Sequence, residues 1–150
     1  MRVVIQRVGY CRVVIGGELF SSVDRGLAVL VGVEDADTRE DADWLAAKIC
    51  RMRLFDDADG VMNLSVVEAG GAIMAISQFT LMASTRKGNR PSYIRAAAPG
   101  HSKPLYDYFV ERLRAEGGTE VKTGVFGADM DVELLNDGPV TIVMDTKNRE

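Results

Sequence analysis

Cys11-Arg12-Val13-Val14-Ile15-Gly16-Gly17-Glu18-Leu19-Phe20-Ser21-Ser22-Val23 is the stretch that decides the fold. Val and Ile crowd its first half, and Gly16-Gly17 supplies the positive-φ pair that a two-residue hairpin requires. Residues 11–15 and 18–23 therefore read as paired antiparallel strands, with Arg2–Val8 a further strand upstream. Downstream, Gly26–Val33 is a continuous apolar run, the pattern of a strand buried on both faces. Thr38 is placed to cap a helix whose first turn holds Glu40 and Asp41, which favour the helix dipole. That helix runs to about Arg53, with Leu45, Ile49 and Met52 on one apolar face. Val61–Val67 and Ala72–Met82 read as strands around a Gly70-Gly71 turn. Ser102 can cap a second helix with Pro104 in its first turn, Leu105, Phe109 and Leu113 on one face, and Gly117-Gly118 at its end. Glu120–Val125, Met130–Asn136 and Val140–Asp145 complete the strands, the last two separated by the turn residues Asp137-Gly138-Pro139. Strands outnumber helices and are mostly joined by hairpins. The class is α+β: a curved, mostly antiparallel or mixed two-layer sheet covered by two main helices. The order of the strands does not follow from the pattern.

The chain has 150 residues, 47% of them apolar and 27% charged. That suits one globular domain spanning 1–150, with a core large enough to need no metal or disulfide staple. No internal repeat or linker interrupts it. The first residues, Met1 to Arg7, are charged within a short apolar stretch and make no secretory signal. The longest uncharged window, Ala69 to Thr85, carries Gly, Ser, Gln and Thr and makes a poor membrane span. The expectation is a soluble cytoplasmic protein with no membrane association.

A net charge of −4 argues against a general nucleic-acid binder. The distribution is uneven, however. Arg86, Lys87, Arg90, Arg95 and Lys103 follow one another with no acid between them, so that segment is +5 and the rest of the chain −9. Arg2, Arg7 and Arg12 form a second acid-free set. Such a patch on an acidic body fits a polyanion of limited footprint, such as one end of an RNA; it also fits a solvated loop.

The titratable inventory narrows the chemistry. His101 is the only histidine and stands in a turn before a helix, so no two-histidine acid–base pair exists within one chain. Cys11 and Cys50 match no zinc or C-x-x-C spacing and read as buried, inert thiols. Asp56-Asp57-Ala58-Asp59-Gly60 lacks the calcium-loop register, because the twelfth position would be Val66 instead of Glu. It reads as a hairpin turn. No phosphate-binding glycine motif and no G-x-S-x-G occurs, and neither a metal nor a cofactor is expected.

Two stretches exceed the needs of packing. Ser77-Gln78-Phe79-Thr80-Leu81 ends an apolar strand; period-two alternation would send Ser77 and Phe79 to one face, Gln78 and Thr80 to the other. Polar residues on both faces of a strand end suit a cavity. The second stretch is Asn136-Asp137-Gly138-Pro139-Val140-Thr141, where an X-Pro bond beside glycine offers a place for a cis peptide. As a pair in this order, the two resemble the S-Q-F-T-L and N-x-G-P-V-T motifs of the D-aminoacyl-tRNA deacylase (D-tyrosyl-tRNA deacylase) family. Met1–Val8, Lys87-Gly88-Asn89-Arg90-Pro91-Ser92 and Phe126-Gly127-Ala128-Asp129-Met130 also resemble it, so the likeness covers essentially the whole chain.

The resemblance implies a homodimeric hydrolase that cleaves the ester between a D-amino acid and the terminal adenosine of tRNA. Ser77, Gln78, Phe79 and Thr80 would line its pocket, largely through backbone groups. Gly138 and Pro139, as a cis pair, would project carbonyls into the partner subunit's pocket to reject L-amino acids, with Arg7 holding the pair. Phe126 and Met130 would contact the adenine, and Arg86, Lys87 and Arg90 would meet tRNA phosphates. D and L esters carry identical groups, so a site must discriminate by exclusion, which a rigid backbone element does better than a rotatable side chain. A threonine nucleophile needs an adjacent base, and Thr80 has none in sequence. Water attack assisted by the ribose 2′-hydroxyl, with backbone amides near Phe79 and Thr80 on the oxyanion, is favoured instead. Glycine, lacking a side chain to clash, is an expected second substrate. Two alternatives stay open: a relative with a trans Gly-Pro that clears L-alanine from tRNA, and a non-catalytic RNA-binding module.

Overall fold

A computed structural model describes residues 1–150. In chain order the elements are β1 (Arg2–Ile15), β2 (Glu18–Val23), β3 (Gly26–Gly32), α1 (Arg39–Arg51), β4 (Phe55–Asp56), β5 (Met62–Leu64), β6 (Ala72–Ser77), a 3-10 turn (Phe79–Met82), α2 (Pro99–Gly117), β7 (Val121–Thr123) and β8 (Asp131–Asp145). β1 is the organiser. Its first half pairs antiparallel with β3 and its second half with β2, while its other edge carries β8 along its whole length. β6 then adds parallel to β3, and β7 parallel to β6. The sheet curls until β2 meets β7, where Ser21 Oγ donates to the Thr123 carbonyl at 2.7 Å and Lys122 Nζ to the Ser22 carbonyl at 2.8 Å. The result is α+β: a mixed, curved, nearly closed sheet with two helices.

The Gly16-Gly17 hairpin forms as read, both glycines at positive φ (59° and 81°) and Ile15 opposite Glu18. α1 begins directly after Thr38, whose N–H donates to the Asp41 carboxylate at 2.8 Å, the return half of a capping box. Leu45 and Ile49 of α1, with Leu105, Phe109 and Leu113 of α2, are buried against Val3, Ile5, Leu27, Val29 and Ile73 of the sheet. Inside the curl, a smaller cluster of Val8, Cys11, Val13, Val23, Ala28, Met74 and Ile76 fills the other face.

Several expected boundaries are corrected. Arg2–Val8 and Cys11–Ile15 are one strand, with Gly9 taken up as a bulge against Leu135. Met130–Asn136 and Val140–Asp145 are likewise one strand: Asp137-Gly138-Pro139 does not reverse the chain. Gln6 faces Thr141 and Val8 faces Asn136, so residues 137–140 bulge out opposite Arg7 alone. The Gly138–Pro139 bond there is cis. Ala72–Met82 stops being a strand at Ser77, because the Gln78 N–H makes the last bond to Val31 and the chain then closes the 3-10 turn. The alternation expected across Ser77–Thr80 is therefore absent. α2 starts at Pro99, three residues before Ser102, whose Oγ instead donates back to the Ala98 carbonyl at 3.1 Å. That places His101 in the first turn of the helix and Pro104 one turn further in. Val61–Val67 and Glu120–Val125 shorten to β5 and β7, and α1 ends at Arg51 instead of Arg53.

The two ends of the chain meet in a buried charge cluster. The Met1 ammonium binds the Asp37 carboxylate and Thr146 Oγ1, and Lys147 Nζ lies 2.9 Å from Asp41. Burial alone would raise the Asp41 pKa, but hydrogen bonds from Lys147, Thr146 and the Thr38 N–H outweigh it and hold the carboxyl well below the usual range. A carboxylate depressed by folding contributes stability that is complete above the unfolded pKa and fades as pH falls through that range and below. Asp41→Asn is expected to cost about 1–2 kcal/mol near neutral pH, with the deficit shrinking below about pH 4. Urea unfolding of both proteins across that interval checks it; a deficit independent of pH contradicts it.

Candidate functional site

β3, β6 and β7 run parallel and side by side, so their C-terminal ends open on one edge of the sheet. A cavity of about 650 Å³ lies there, its floor made by Val31 at the end of β3, Val33 just after it, and Ile76 and Ser77 at the end of β6. Such crevices at carboxyl ends of parallel strands are where open sheets bind ligands. The start of α2 (Ala98, Pro99, Ser102, Tyr106) makes a second wall, and the loop after β7, from Phe126 to Met130, makes a third.

Three of the four S-Q-F-T residues line this cavity: Ser77, Gln78 and Phe79. Phe79 is 58% exposed and stands edge-on to Tyr93, ring centroids 5.2 Å apart. Thr80 lies just behind, its Oγ1 accepting from Gln78 Nε2 at 2.5 Å. The 3-10 turn commits Leu81 N–H to Gln78 and Ala83 N–H to Thr80, while Phe79 and Thr80 N–H take no acceptor among the turn, loop and cap bonds. This is the usual condition of first-turn amides. Phe126 and Met130, nearly fifty residues downstream in sequence, join the same cavity. Phe126 leans on Tyr106, centroids 5.9 Å apart, and the Tyr106 hydroxyl donates to the Ala75 carbonyl at 2.9 Å. Met130 sulfur accepts the Val125 N–H at 3.4 Å and lies over Gly124, in the space a Cβ there would occupy.

The remaining candidates lie elsewhere. Gly138 and Pro139 are exposed and do not line their own chain's cavity. Arg7, only 7% exposed, backs them: Nε donates to the Asp137 carbonyl at 3.1 Å and Nη1 to the Leu54 carbonyl at 2.9 Å. Asp56 and Asp137 stand 3.4 and 3.3 Å away as partly exposed counter-charges. The basic segment is acid-free in sequence but not in space. Arg95 pairs with Glu34 at 3.0 Å and Lys103 with Asp107 at 2.6 Å. Arg86, Lys87 and Arg90 remain exposed in a loop whose base is closed by the Ser84–Ser92 bridge. His101 Nε2 faces the Asp37 carbonyl at 3.0 Å and does not reach the cavity. Burial pushes both the Cys11 and Cys50 thiols up to about 11, so neither offers a thiolate. No helix is long and apolar enough to cross a membrane.

Comparison with known proteins gives a consistent answer. The family model described as D-Tyr-tRNA(Tyr) deacylase matches residues 4–145. A D-aminoacyl-tRNA deacylase of Phocaeicola vulgatus is 62% identical over 150 residues, all of both chains, and one of Flavobacterium johnsoniae is 59% identical over the same span. A solved structure titled c-Myc DNA Unwinding Element Binding Protein superposes with a TM-score of 0.93 at 37% identity, covering 97% of this chain and 99% of its own. A probable eukaryotic D-amino acid tRNA deacylase shares the fold, with a TM-score of 0.81 at 18% identity over 95% of this chain and 97% of its own.

Sequence reasoning counted Arg2 only within an acid-free basic set and missed its contact with the 3-10 turn. Its Nε and Nη2 hold the Asp145 carboxylate at 3.0 and 2.8 Å, while Nη1 donates to the Leu81 carbonyl at 2.9 Å. The guanidinium thereby ties the 3-10 turn to the β1–β8 ladder across 79 residues of sequence. No local pattern signals such a contact. Arg2→Met is expected to speed amide hydrogen exchange at Leu81 and Ala83 about tenfold, about the loss of one hydrogen bond, while Phe109 to Leu113 stay protected. Unchanged exchange in the turn would show that the clamp is idle.

Proposed function

The chain belongs to the D-Tyr-tRNA(Tyr) deacylase family and is a D-aminoacyl-tRNA deacylase, a hydrolase of the aminoacyl-tRNA ester; on that premise we propose how its cavity performs and restricts the reaction. The aminoacylated adenosine at the tRNA 3′ end enters the cavity, with the ester carbonyl against the amides of Phe79 and Thr80. Ser77, Gln78 and Phe79 line the acyl end, Phe126 and Met130 take the adenine, and Arg86, Lys87 and Arg90 meet phosphates behind it. The observation that carries this reading is a cavity lined by Ser77, Gln78 and Phe79 without histidine, cysteine or lysine, beside the first-turn amides of Phe79 and Thr80, which take no acceptor among the turn, loop and cap bonds.

With no base next to Thr80, and its oxygen already bonded to Gln78, the threonine is not the nucleophile. The ribose hydroxyl vicinal to the ester accepts a proton from the attacking water while passing its own toward the ester oxygen, the water adds to the carbonyl, and the amides hold the developing oxyanion. The ribose oxygen then leaves with a proton. No cofactor takes part.

Chirality is imposed from a second subunit. Gly138 and Pro139 are exposed, stand outside their own cavity and are backed by the buried Arg7, which suits a backbone wall presented to a partner. β8 pairs only with β1 and leaves Leu135 (55%) and Val143 (64%) exposed. An uncovered strand of that length is a docking edge, and a two-fold dimer would complete both cavities at once. In the closed cavity the L side chain meets the Gly138-Pro139 carbonyls and the D side chain points away. The enzyme thus clears mischarged tRNA in the cytoplasm, where translation runs.

Two outcomes test this. Deacylation of D-alanyl-, L-alanyl- and glycyl-tRNA should place glycine with D-alanine, and L-alanine more than about 200-fold below, beyond the reach of one methyl in an apolar pocket. Inert glycyl-tRNA means that the D side chain is recognised positively, and preferred cleavage of L-alanyl-tRNA means the opposite selectivity. In the second experiment, Thr80→Ala should keep most activity, whereas tRNA lacking the terminal 2′-hydroxyl should lose about 100-fold or more. An acyl-Thr80 adduct seen by mass spectrometry contradicts the mechanism.

A further inference from the structure

Asp129 is the one carboxylate on the wall of the cavity, and the mechanism above gives it no task. It stands in the loop after β7, between Ala128 and Met130, which line the cavity with it and with Phe126. Gly127, at φ +78°, turns this loop, and the Val125–Met130 bond closes it. The Asp129 side chain is exposed, and none of the chain's ion pairs engages it. An ionised carboxylate is purely an acceptor, so one left unpaired on a mostly apolar wall suits a donor on the ligand.

The substrate offers two kinds of donor, and the topology separates them. The α-ammonium is two bonds from the ester carbonyl carbon and must stay near the 3-10 turn beyond β6. The nucleobase is a ribose away, toward the loop of the neighbouring strand β7, whose axis lies about 5 Å across the sheet. Phe126 and Met130 give that loop a flat apolar surface on which a base can lie, with Asp129 at its edge. Adenine carries a donor, its 6-amino group, where guanine carries the O6 acceptor. We propose that Asp129 is a specificity residue that accepts a hydrogen bond from the 6-amino group of the terminal adenine. The proposal rests on the reading that the cavity receives the aminoacyl-adenosine end. It makes recognition of the tRNA terminus a matter of the base as well as of the ester, with a 6-oxo purine facing the carboxylate acceptor to acceptor.

The test is a cycle between residue and substrate. D-alanyl-tRNA ending in adenosine, and the same tRNA ending in purine riboside (hydrogen replacing the amine), are assayed with wild type and Asp129→Ala. Loss of the amine should lower wild-type kcat/KM about tenfold, mostly through KM, the scale of one charge-assisted hydrogen bond. Asp129→Ala should cost about as much on adenosine and nothing further on purine riboside. An equal loss from Asp129→Ala on both termini, whether in KM or kcat, overturns the proposal; confined to kcat, it makes Asp129 a general base. A D-lactyl ester, with hydroxyl in place of the ammonium, is the third substrate: if the Asp129→Ala effect vanishes only there, the carboxylate pairs with the α-ammonium and the proposal is also wrong. Ala128→Trp, which fills the cavity, tests the underlying reading separately. Full turnover in that variant would move the whole site elsewhere, whereas lost turnover with an additive cycle would remove only the role of Asp129.

Discussion

β1 and β8 stay paired from one end to the other, apart from the small Gly9 bulge and the place where Asp137, Gly138, Pro139 and Val140 stand opposite Arg7 alone. The mismatch is sustained by the Arg7 guanidinium, which enters the space under the bulge and binds one carbonyl from β8 and one from the chain just before β4. Without it, the Leu54 carbonyl would lose its partner in a buried place, a cost of about 1–3 kcal/mol, and the more exposed Asp137 carbonyl would lose its own. Gly138 is equally constrained: at φ +131°, any added Cβ would press on Val140 and on the Arg7 guanidinium. One cation thus fixes the shape and the outward direction of the segment on which the proposed selectivity depends.

The cavity has a similar economy. Its position follows from three parallel strands ending together, and its polar equipment is mainly backbone: the first-turn amides of the 3-10 turn on one side and the folded loop after β7 on the other. Rigidity is supplied by Arg2 on Leu81, by Tyr106 of the cavity wall on Ala75, and by the helices packed beneath. A site built this way can hold an already activated ester and position water without a side-chain base. It depends instead on how closely its walls keep their places.

What was legible in the sequence was local. The Gly16-Gly17 hairpin, the Thr38 cap, the left-handed Gly118 that ends α2 and the Leu105–Phe109–Leu113 face each depend on neighbours within a turn or two of chain, and each formed as read. What was misread depended on a partner. Gly9-Tyr10 reads as a break between two strands and Asp137-Gly138-Pro139 as a turn, yet the paired strands run on through both and convert them into bulges. The basic segment looks acid-free because Glu34, which pairs with Arg95, lies 61 residues away, and Asp107, which pairs with Lys103, lies just past the segment. At the cavity, the S-Q-F-T run and the Phe126–Met130 loop were recognisable as motifs. Their meeting with Tyr93 and the start of α2 was not, because no periodicity links them. The contact of Arg2 with Leu81 was invisible for the same reason.

The central claim is that a buried guanidinium sets the wall that rejects L-amino acids, and Arg7→Lys tests it most directly. Lysine keeps the charge, but a single ammonium cannot reach the Asp137 and Leu54 carbonyls in the forked geometry of arginine. The measurement is the ratio of D-tyrosyl- to L-tyrosyl-tRNA deacylation, on protein whose circular dichroism and native mass match wild type. The account expects D-tyrosyl turnover within a few-fold of wild type and L-tyrosyl turnover raised about tenfold or more, the scale of one lost charged hydrogen bond. A folded Arg7→Lys protein that rejects the L ester as fully as wild type would contradict it.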